Sequence, residues 1–240
     1  GELVVDLAAA PGGKATHLAG LAGDAALVVA NDVDERRART LLGNVERLGV
    51  TGAAVTSARP ERLAAALGSA ADAVLLDAPC SGEGMFRRSA AAREAWSEAG
   101  VARHAELQRR LIAAAADLVR PGGRLVYSTC TFDPREDEEV VLWLLARRPD
   151  LSVEPLDLPG AEDAARFGLP GAARLWPHRA PGDGHFVAQL RRDEGAADRR
   201  AGRGGTRRPG RGSASAVRAR GAAGDAVGAV DARARTAWEA

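Results

Sequence analysis

The chain has 240 residues, which is enough for one substantial α/β domain with an appended segment. No apolar run approaches the roughly 20 residues that cross a bilayer, and no secretory signal opens the sequence. Two cysteines do not make a disulfide framework, so we expect free thiols and a cytoplasmic protein. Because the chain begins with Gly1 and a predicted strand follows at once, we also expect that an upstream part is missing.

Charge is distributed unevenly along the chain. Residues 1–190 carry 21 basic and 26 acidic side chains, whereas residues 191–240 carry 12 basic and 6 acidic ones. The second segment is rich in Arg, Gly and Ala and has few large apolar residues, so it buries too little surface to offset its ordering entropy. We therefore predict a folded domain over 1–190 and a disordered tail or linker over 191–240. The basic excess of that tail suggests a polyanionic partner.

The first 150 residues alternate between short apolar segments and amphipathic ones. This βαβα order is typical of a doubly wound, mostly parallel sheet. Further candidate strands after Pro149 suggest an antiparallel edge. The predicted strands are 2–7, 26–30, 53–56, 72–77, 124–128, 151–153, 174–176 and 185–190. The predicted helices are 15–22, one capped by Asp34 and ended by Gly49, a short one after Pro60, 101–119, and one from Pro134 to about 147.

The turn after the first strand consists of small residues that let a ligand approach the backbone closely. It lacks both G-x-G-x-x-G and the P-loop pattern, which makes a nicotinamide or nucleoside-triphosphate site a weak interpretation. Taken alone, the turn could equally be an ordinary tight strand–helix connection. Its residues are Ala8, Ala9, Ala10, Pro11, Gly12, Gly13 and Lys14. Lys14 is the only lysine in an Arg-rich chain, which suggests that an ammonium is wanted there.

Asp32 closes the second predicted strand about 20 residues after the glycine turn, where doubly wound folds bind a ribose. A helix N-cap is the alternative, but Asp34 can serve as that cap. We therefore favour the ribose role for Asp32.

Two cysteines follow the ends of two predicted strands. Since the carboxyl ends of parallel strands meet at one edge of a sheet, Cys80 and Cys130 should lie at the same rim. A free cysteine is more often a small buried apolar residue than a nucleophile. These two, however, sit in a glycine-bearing polar loop and between two threonines. No His or further Cys stands at ligand spacing, so we expect no metal site, and we expect structural or surface roles for the histidines His17, His104, His178 and His185.

Three motifs resemble the NOL/NOP/Sun family of RNA cytosine-C5 methyltransferases, and most closely its bacterial RsmF-like ribosomal RNA branch. They are DLAAAPGGK at 6–14, DAPCSGEG at 77–84 followed by MFRR, and YSTCTF at 127–132. RLWPH at 174–178 and GHF at 184–186 are similar to the closing strands of that branch. The resemblance covers roughly residues 1–190.

The resemblance implies a class I, Rossmann-like methyltransferase fold with a seven-stranded sheet. It implies S-adenosylmethionine bound at residues 8–14, with Asp32 on the ribose and with Arg37 and Asp77 also at the donor site. It further implies that Cys130 is the nucleophile, that Cys80 helps to release the product and that Asp77 contacts the cytosine. The partner would be RNA, with 16S ribosomal RNA as the expected substrate. Adenine contacts stay unassigned, because Ser57-Ala58-Arg59 departs from the family pattern after strand three.

The chemistry explains why such a site needs a thiolate. Addition of a thiolate to C6 of cytosine makes C5 nucleophilic, which converts one difficult step into two easier ones. We expect Lys14 to favour the Cys130 thiolate, and Asp77, protonated or sharing a proton with N3, to neutralise charge. Arg87 and Arg88 either contact phosphates or form a solvated turn.

Two other functions stay open at this point. The first is a DNA cytosine methyltransferase in which Cys80 attacks. The second is a non-catalytic RNA-binding assembly factor that retains the donor fold.

Overall fold

The structure, a computed structural model, describes residues 1–195. Its elements are β1 (Glu2–Asp6), α1 (Gly13–Ala22), β2 (Ala26–Asn31), α2 (Glu35–Arg47), β3 (Ala53–Thr56), α3 (Pro60–Leu67), β4 (Ala71–Asp77), α4 (Ala90–Ala95), α5 (Glu98–Leu118), β5 (Val119–Thr129), α6 (Glu138–Leu145), β6 (Leu151–Glu154), β7 (Glu162–Asp163), β8 (Ala173–Leu175) and β9 (His185–Arg192). None of the helices in this range is both long and apolar enough to cross a membrane.

The strands form one sheet in the order β3-β2-β1-β4-β5-β9-β8-β7, with β6 also paired to β9. Strands β1 to β5 are parallel, and β9 is antiparallel to β5. The predicted α/β fold, a doubly wound parallel sheet with an antiparallel edge, is therefore confirmed. The order reverses between β1 and β4, which is where doubly wound folds bind ligands.

The described residues form nine strands rather than the predicted seven. The additional pairing arises on the free edge of β9: β6 pairs with its C-terminal half and β8 with its N-terminal half. β7 has two residues and is held by β8 alone. β6 and β8 correspond to the predicted strands 151–153 and 174–176. The two residues of β7 carry too little hydrophobic pattern to be recognised and form a strand only because β8 offers them a partner.

The end of the sheet also differs from the predicted domain boundary. β9 continues through Arg191 and Arg192, so the predicted start of the tail at residue 191 falls inside a strand. Arg192 is buried, and its guanidinium donates to Asp150 Oδ2 (3.0 Å) and to the Val119 carbonyl (2.6 Å). The polar composition of this segment suggested a tail exposed to solvent, but the guanidinium groups of Arg191 and Arg192 both have partners in the folded domain. The rest of the predicted tail, 196–240, lies outside the described residues.

Two apolar layers flank the sheet. Adjacent β1 residues face opposite sides, because side chains alternate along a strand. Val4 belongs to the layer that contains residues of α1 and α2, and Val5 to the layer that contains residues of α3, α5 and α6. Leu41 in α2 and Ile112 in α5 are fully buried in these layers, and such a side chain contributes about 1.5–3 kcal/mol. Asp34 caps α2 as predicted, accepting the Arg36 and Arg37 N–H groups. This packing fixes the carboxyl ends of β1, β4 and β5 along one rim.

Candidate active site

The small-residue turn between β1 and α1 is tied to the neighbouring strand and to α2. The Ala9 N–H donates to the Asn31 carbonyl (2.7 Å), and the Asn44 side chain donates to the Pro11 carbonyl (2.8 Å). Gly12 has φ 114°, and a Cβ there would lie 2.8 Å from Leu41 Cδ1. Only glycine fits this position, because the backbone is left-handed and α2 is already in contact with it.

Asp32 is buried and directly follows β2, whose last residue, Asn31, is hydrogen-bonded to this turn. Its Oδ1 accepts the Asp34 N–H (3.0 Å), and its Oδ2 lies 3.2 Å from the Arg37 guanidinium but makes no hydrogen bond within residues 1–195. Arg37 also donates to the Ala10 carbonyl (2.8 Å). The predicted donor-site residues Asp32 and Arg37 are thus in contact with each other, and Arg37 also contacts the turn.

Asp6, at the end of β1, is a further acidic residue that the sequence interpretation did not single out. It is buried, and neither of its carboxyl oxygens has a hydrogen-bond partner among the described residues. Burial raises its pKa to about 7, and the charges of Asp77 and Asp32 act in the same direction. Lys14 and the Ala8 N–H, which lies outside hydrogen-bond geometry, oppose that shift. The sequence feature that could have identified Asp6 as a site residue is its position as an acidic residue at the end of an apolar strand.

Asp77, at the end of β4, is surrounded by polar groups from three other elements. Lys14 Nζ lies 2.7 Å from Asp77 Oδ2, and Ser128 Oγ donates to Oδ1 at 2.7 Å. His185 Nε2 lies 3.8 Å from the same Oδ1. The structure therefore brings together Lys14 and Asp77, which were predicted as site residues with separate roles. It adds two residues, Ser128 and His185, for which we had assigned no site role.

The two thiols converge beyond β4 and β5. Cys80 Sγ and Cys130 Sγ are 3.3 Å apart, far longer than the roughly 2.0 Å of a disulfide, and both cysteines are free. The hydrogen bond from Cys80 lowers the pKa of the Cys130 thiol, to which Lys14 contributes a smaller lowering, while burial and Asp77 oppose it. The pKa of Cys80 is raised by that same hydrogen bond and by burial. The arrangement therefore favours a Cys130 thiolate that accepts from a Cys80 thiol.

This result modifies the role predicted for Lys14. Its ammonium does favour the Cys130 thiolate, but its direct partner is Asp77. The thiol of Cys80 is the larger influence on Cys130.

A buried carboxylate positions the loop that carries Cys80. Glu136 Oε2 accepts the Ser81 N–H (3.0 Å) and the Gln108 side-chain amide (2.8 Å). Gln108 also donates to the Pro79 carbonyl (2.9 Å). Both residues flanking Cys80 are therefore held by groups from α5 and from the segment before α6. Neither Glu136 nor Gln108 was found from the sequence, because they lie 28 residues apart and outside the recognised motifs.

Comparison with known proteins is consistent with this geometry. A sequence model of the family described as 16S rRNA methyltransferase RsmB/F matches residues 1–191. The chain belongs to the RsmB/F family. The resemblance inferred from the motifs is thereby confirmed.

Individual RsmB/F relatives and solved structures are also similar to this chain. The chain is 43% identical over 194 residues to ribosomal RNA small subunit methyltransferase F of Erwinia tasmaniensis, covering 80% of this chain and 40% of that protein. It is 39% identical to PH0851, with a TM-score of 0.75, over 79% of this chain and 42% of that one. It is 33% identical to NSun6 from Pyrococcus horikoshii, determined with SFG, with a TM-score of 0.70 over 80% of this chain and 48% of that one. The chain thus spans about 40% of the length of its curated RsmB/F relatives.

The segment after the Cys80 loop in this RsmB/F chain is only partly available for a nucleic acid. Arg88 Nε forms an ion pair with Asp183 Oδ2 at 2.6 Å, although its side chain is largely exposed. Arg87 is exposed. Of the two arginines considered for phosphate contact, Arg88 therefore already ties its turn to the segment before β9.

Proposed function

We propose that the protein transfers a methyl group from S-adenosylmethionine to C5 of a cytosine in RNA, and that 16S ribosomal RNA is the substrate. Membership of the RsmB/F family supports this reaction class. The observation that carries the proposal is the pair of sulfur atoms 3.3 Å apart, Cys80 and Cys130, beside the Lys14–Asp77 ion pair. A half-buried thiol pair next to a carboxylate fits covalent attack on a pyrimidine better than a structural role in the core.

The donor would bind along the turn at residues 8–14. Two features fit a ligand that carries an ammonium and ribose hydroxyls. Within residues 1–195, two buried carboxyl oxygens of Asp6 and one of Asp32 have no hydrogen-bond partner. Gly13 leaves space at the backbone, because a Cβ there would meet no atom within 4 Å. We assign Asp32 to the ribose, and Arg37 to holding Asp32 and the turn. When bound, the donor supplies an electrophilic methyl group on its sulfonium.

The nucleophile acts first in the proposed sequence. An unperturbed thiol, with a pKa of about 8.5, is ionised only to a few per cent at neutral pH. The Cys80 hydrogen bond and the Lys14 ammonium both favour the Cys130 thiolate. Its sulfur forms a bond to C6, and the displaced electron pair moves to N3, which takes up a proton that Asp77 Oδ2 passes on from the Lys14 ammonium, 2.7 Å away. C5 is then nucleophilic and accepts the methyl group.

Elimination restores the aromatic ring. A base removes the C5 proton, the C5–C6 double bond re-forms, and the bond from C6 to Cys130 Sγ breaks. N3 gives its proton back through Asp77 to Lys14. The leaving group is the Cys130 thiolate. Because the Cys80 thiol lies 3.3 Å from that sulfur and its pKa is raised, it is suited to donate a hydrogen bond to the departing thiolate. This is the role in product release that we propose for Cys80.

The alternative in which Cys80 attacks a DNA cytosine is less well supported. Attack requires a thiolate, and the pKa of Cys80 is raised whereas that of Cys130 is lowered. No described feature favours a non-catalytic assembly factor.

The proposal extends to the architecture and location of the protein. Residues 1–192 would form the catalytic domain, and the basic segment that follows it would contact RNA through its arginines. The free thiols fit action in the reducing cytoplasm.

The test uses the protein expressed from its complete gene. First, 5-methylcytidine is mapped by bisulfite sequencing of ribosomal RNA from cells with and without that gene. An RNA spanning the site, with 5-fluorocytidine at the target, is then incubated with the methyl donor. We expect a covalent adduct with the wild type and with Cys80→Ser, and none with Cys130→Ser. Retention of the adduct by Cys130→Ser, or an unchanged map in cells, would refute the proposal.

A further inference from the structure

His185 lies at the active-site rim, although we predicted only a structural or surface role for it. It is the first residue of β9, and its side chain is 35% exposed. Its Nε2 faces Asp77 Oδ1 at 3.8 Å, and its Nδ1 lies 2.9 Å from the Gly184 carbonyl. Since a carbonyl only accepts hydrogen bonds, Nδ1 carries the proton, and in the neutral ring Nε2 is an acceptor.

Two acceptors therefore face each other across 3.8 Å. Asp77 Oδ1 already accepts from Ser128, and Oδ2 is paired with Lys14, so the negative charge of Asp77 is balanced without His185. An acceptor next to an acceptor gains nothing by itself. The pair becomes favourable when a donor with two hydrogens is placed against both atoms.

The backbone around His185 is held in position by close packing. The β5–β9 ladder ends at Thr129 opposite Phe186, so the next residues in register are Cys130 and His185. Leu175 of β8 pairs with His185 on the other edge. A Cβ on Gly184 would lie 2.2 Å from the Phe132 ring, so only glycine allows this approach. His185 thus has a fixed position next to the nucleophile.

Resting on the proposed function, we propose that His185, together with Asp77, binds the exocyclic 4-amino group of the target cytosine and thereby selects cytosine over uracil. The 4-amino group carries two hydrogens, which matches one acceptor on each residue. Uracil has a carbonyl oxygen at this position and would place a third acceptor against the two already there. Recognition of a base by its hydrogen-bonding edge is the usual means by which proteins read unstacked RNA bases.

The experiment removes the acceptor from the protein and the donor from the base, separately and together. The RNA spanning the mapped site carries either cytidine or a pyrimidin-2-one ribonucleoside, which lacks the 4-amino group, at the target. The protein from the complete gene is compared with His185→Phe, which keeps an aromatic ring, and with His185→Gln, which restores an acceptor. The measured quantity is kcat/KM for methyl transfer.

We expect His185→Phe to lower kcat/KM on cytidine about fivefold to tenfold, as for the loss of one hydrogen bond. On the pyrimidin-2-one RNA it should change kcat/KM by less than about twofold. His185→Gln should recover most of the loss on cytidine.

Equal losses on both RNAs would show that His185 only supports the fold, and no loss on either would show that it does not touch the base; both results would overturn the inference. A wild type that methylates neither RNA would instead refute the proposed function.

Discussion

Replacement of Gly84 by alanine should separate the two sulfur atoms without touching either cysteine. The Gly84 N–H donates to the Cys130 carbonyl at 2.8 Å, which ties the Cys80 loop to the backbone of the nucleophile. A Cβ on Gly84 would lie 2.9 Å from the Cys130 oxygen and 2.9 Å from the Asp183 oxygen. Both are backbone atoms, so neither can move away by a change of rotamer.

The cost can be estimated from these contacts. Insertion of one carbon into close-packed structure typically costs about 1–3 kcal/mol. If the loop moves away instead, the hydrogen bond to Cys130 is lost, at about 1 kcal/mol. We therefore expect Gly84→Ala to lower the free energy of unfolding by about 1–3 kcal/mol. The displaced loop should also weaken the hydrogen bond by which Cys80 lowers the pKa of Cys130.

Urea unfolding and thiol alkylation measure the two effects. The pH midpoint for alkylation of Cys130 by iodoacetamide, followed by peptide mass spectrometry, should rise in Gly84→Ala. Gly43→Ala is the matched control: it lies in α2, where a Cβ would meet no atom within 4 Å, and should stabilise the helix by about 1 kcal/mol. Gly84→Ala with wild-type stability and an unchanged alkylation midpoint would refute the argument that the loops are held by this contact.

Two further predictions concern the acidic residues of the donor site. Because the pKa of Asp6 is raised to about 7 in the folded state, folding retains its proton, so its contribution to stability is present below about pH 4 and is lost as pH rises towards 7. Between pH 4 and pH 8, the free energy of unfolding of the wild type, measured with urea, should therefore fall by up to about 4 kcal/mol relative to that of Asp6→Asn. The same pH dependence in both proteins would contradict this. Asp32→Ala should weaken S-adenosylmethionine binding tenfold or more by calorimetry. Asp34→Ala should lose about 1 kcal/mol of helix capping but keep that affinity, and an unchanged Kd in Asp32→Ala would remove the ribose assignment.

Much of the parallel half of the fold could be predicted from local pattern. The strand over 53–56 was located to the residue, and the Asp34 cap and the end of α2 followed from residue type and helical spacing. The predicted start of the long helix at 101 was three residues late, because Glu98 and its Ser97 cap precede the apolar stripe. β5 begins at Val119 and runs through a Pro-Gly-Gly segment that reads as a turn. Its pairing with β4 is a tertiary effect, which local propensity does not contain.

The sequence by itself determined which chemistry the chain carries: two free thiols after two strands, one lysine in a glycine turn, and acidic residues at strand ends. Hydrophobic periodicity locates the strands, and the carboxyl ends of parallel strands lie at one edge of the sheet. The sequence therefore places these groups at one rim. Only the tertiary structure decided that Cys80 and Cys130 approach to 3.3 Å, that the Asp6 carboxyl group has no hydrogen-bond partner in the described part of the chain, and that His185 faces Asp77. The contacts of Cys80 with Cys130 and of His185 with Asp77 join residues 50 or more positions apart. Their distances depend on how the loops pack over the sheet, which no local pattern encodes.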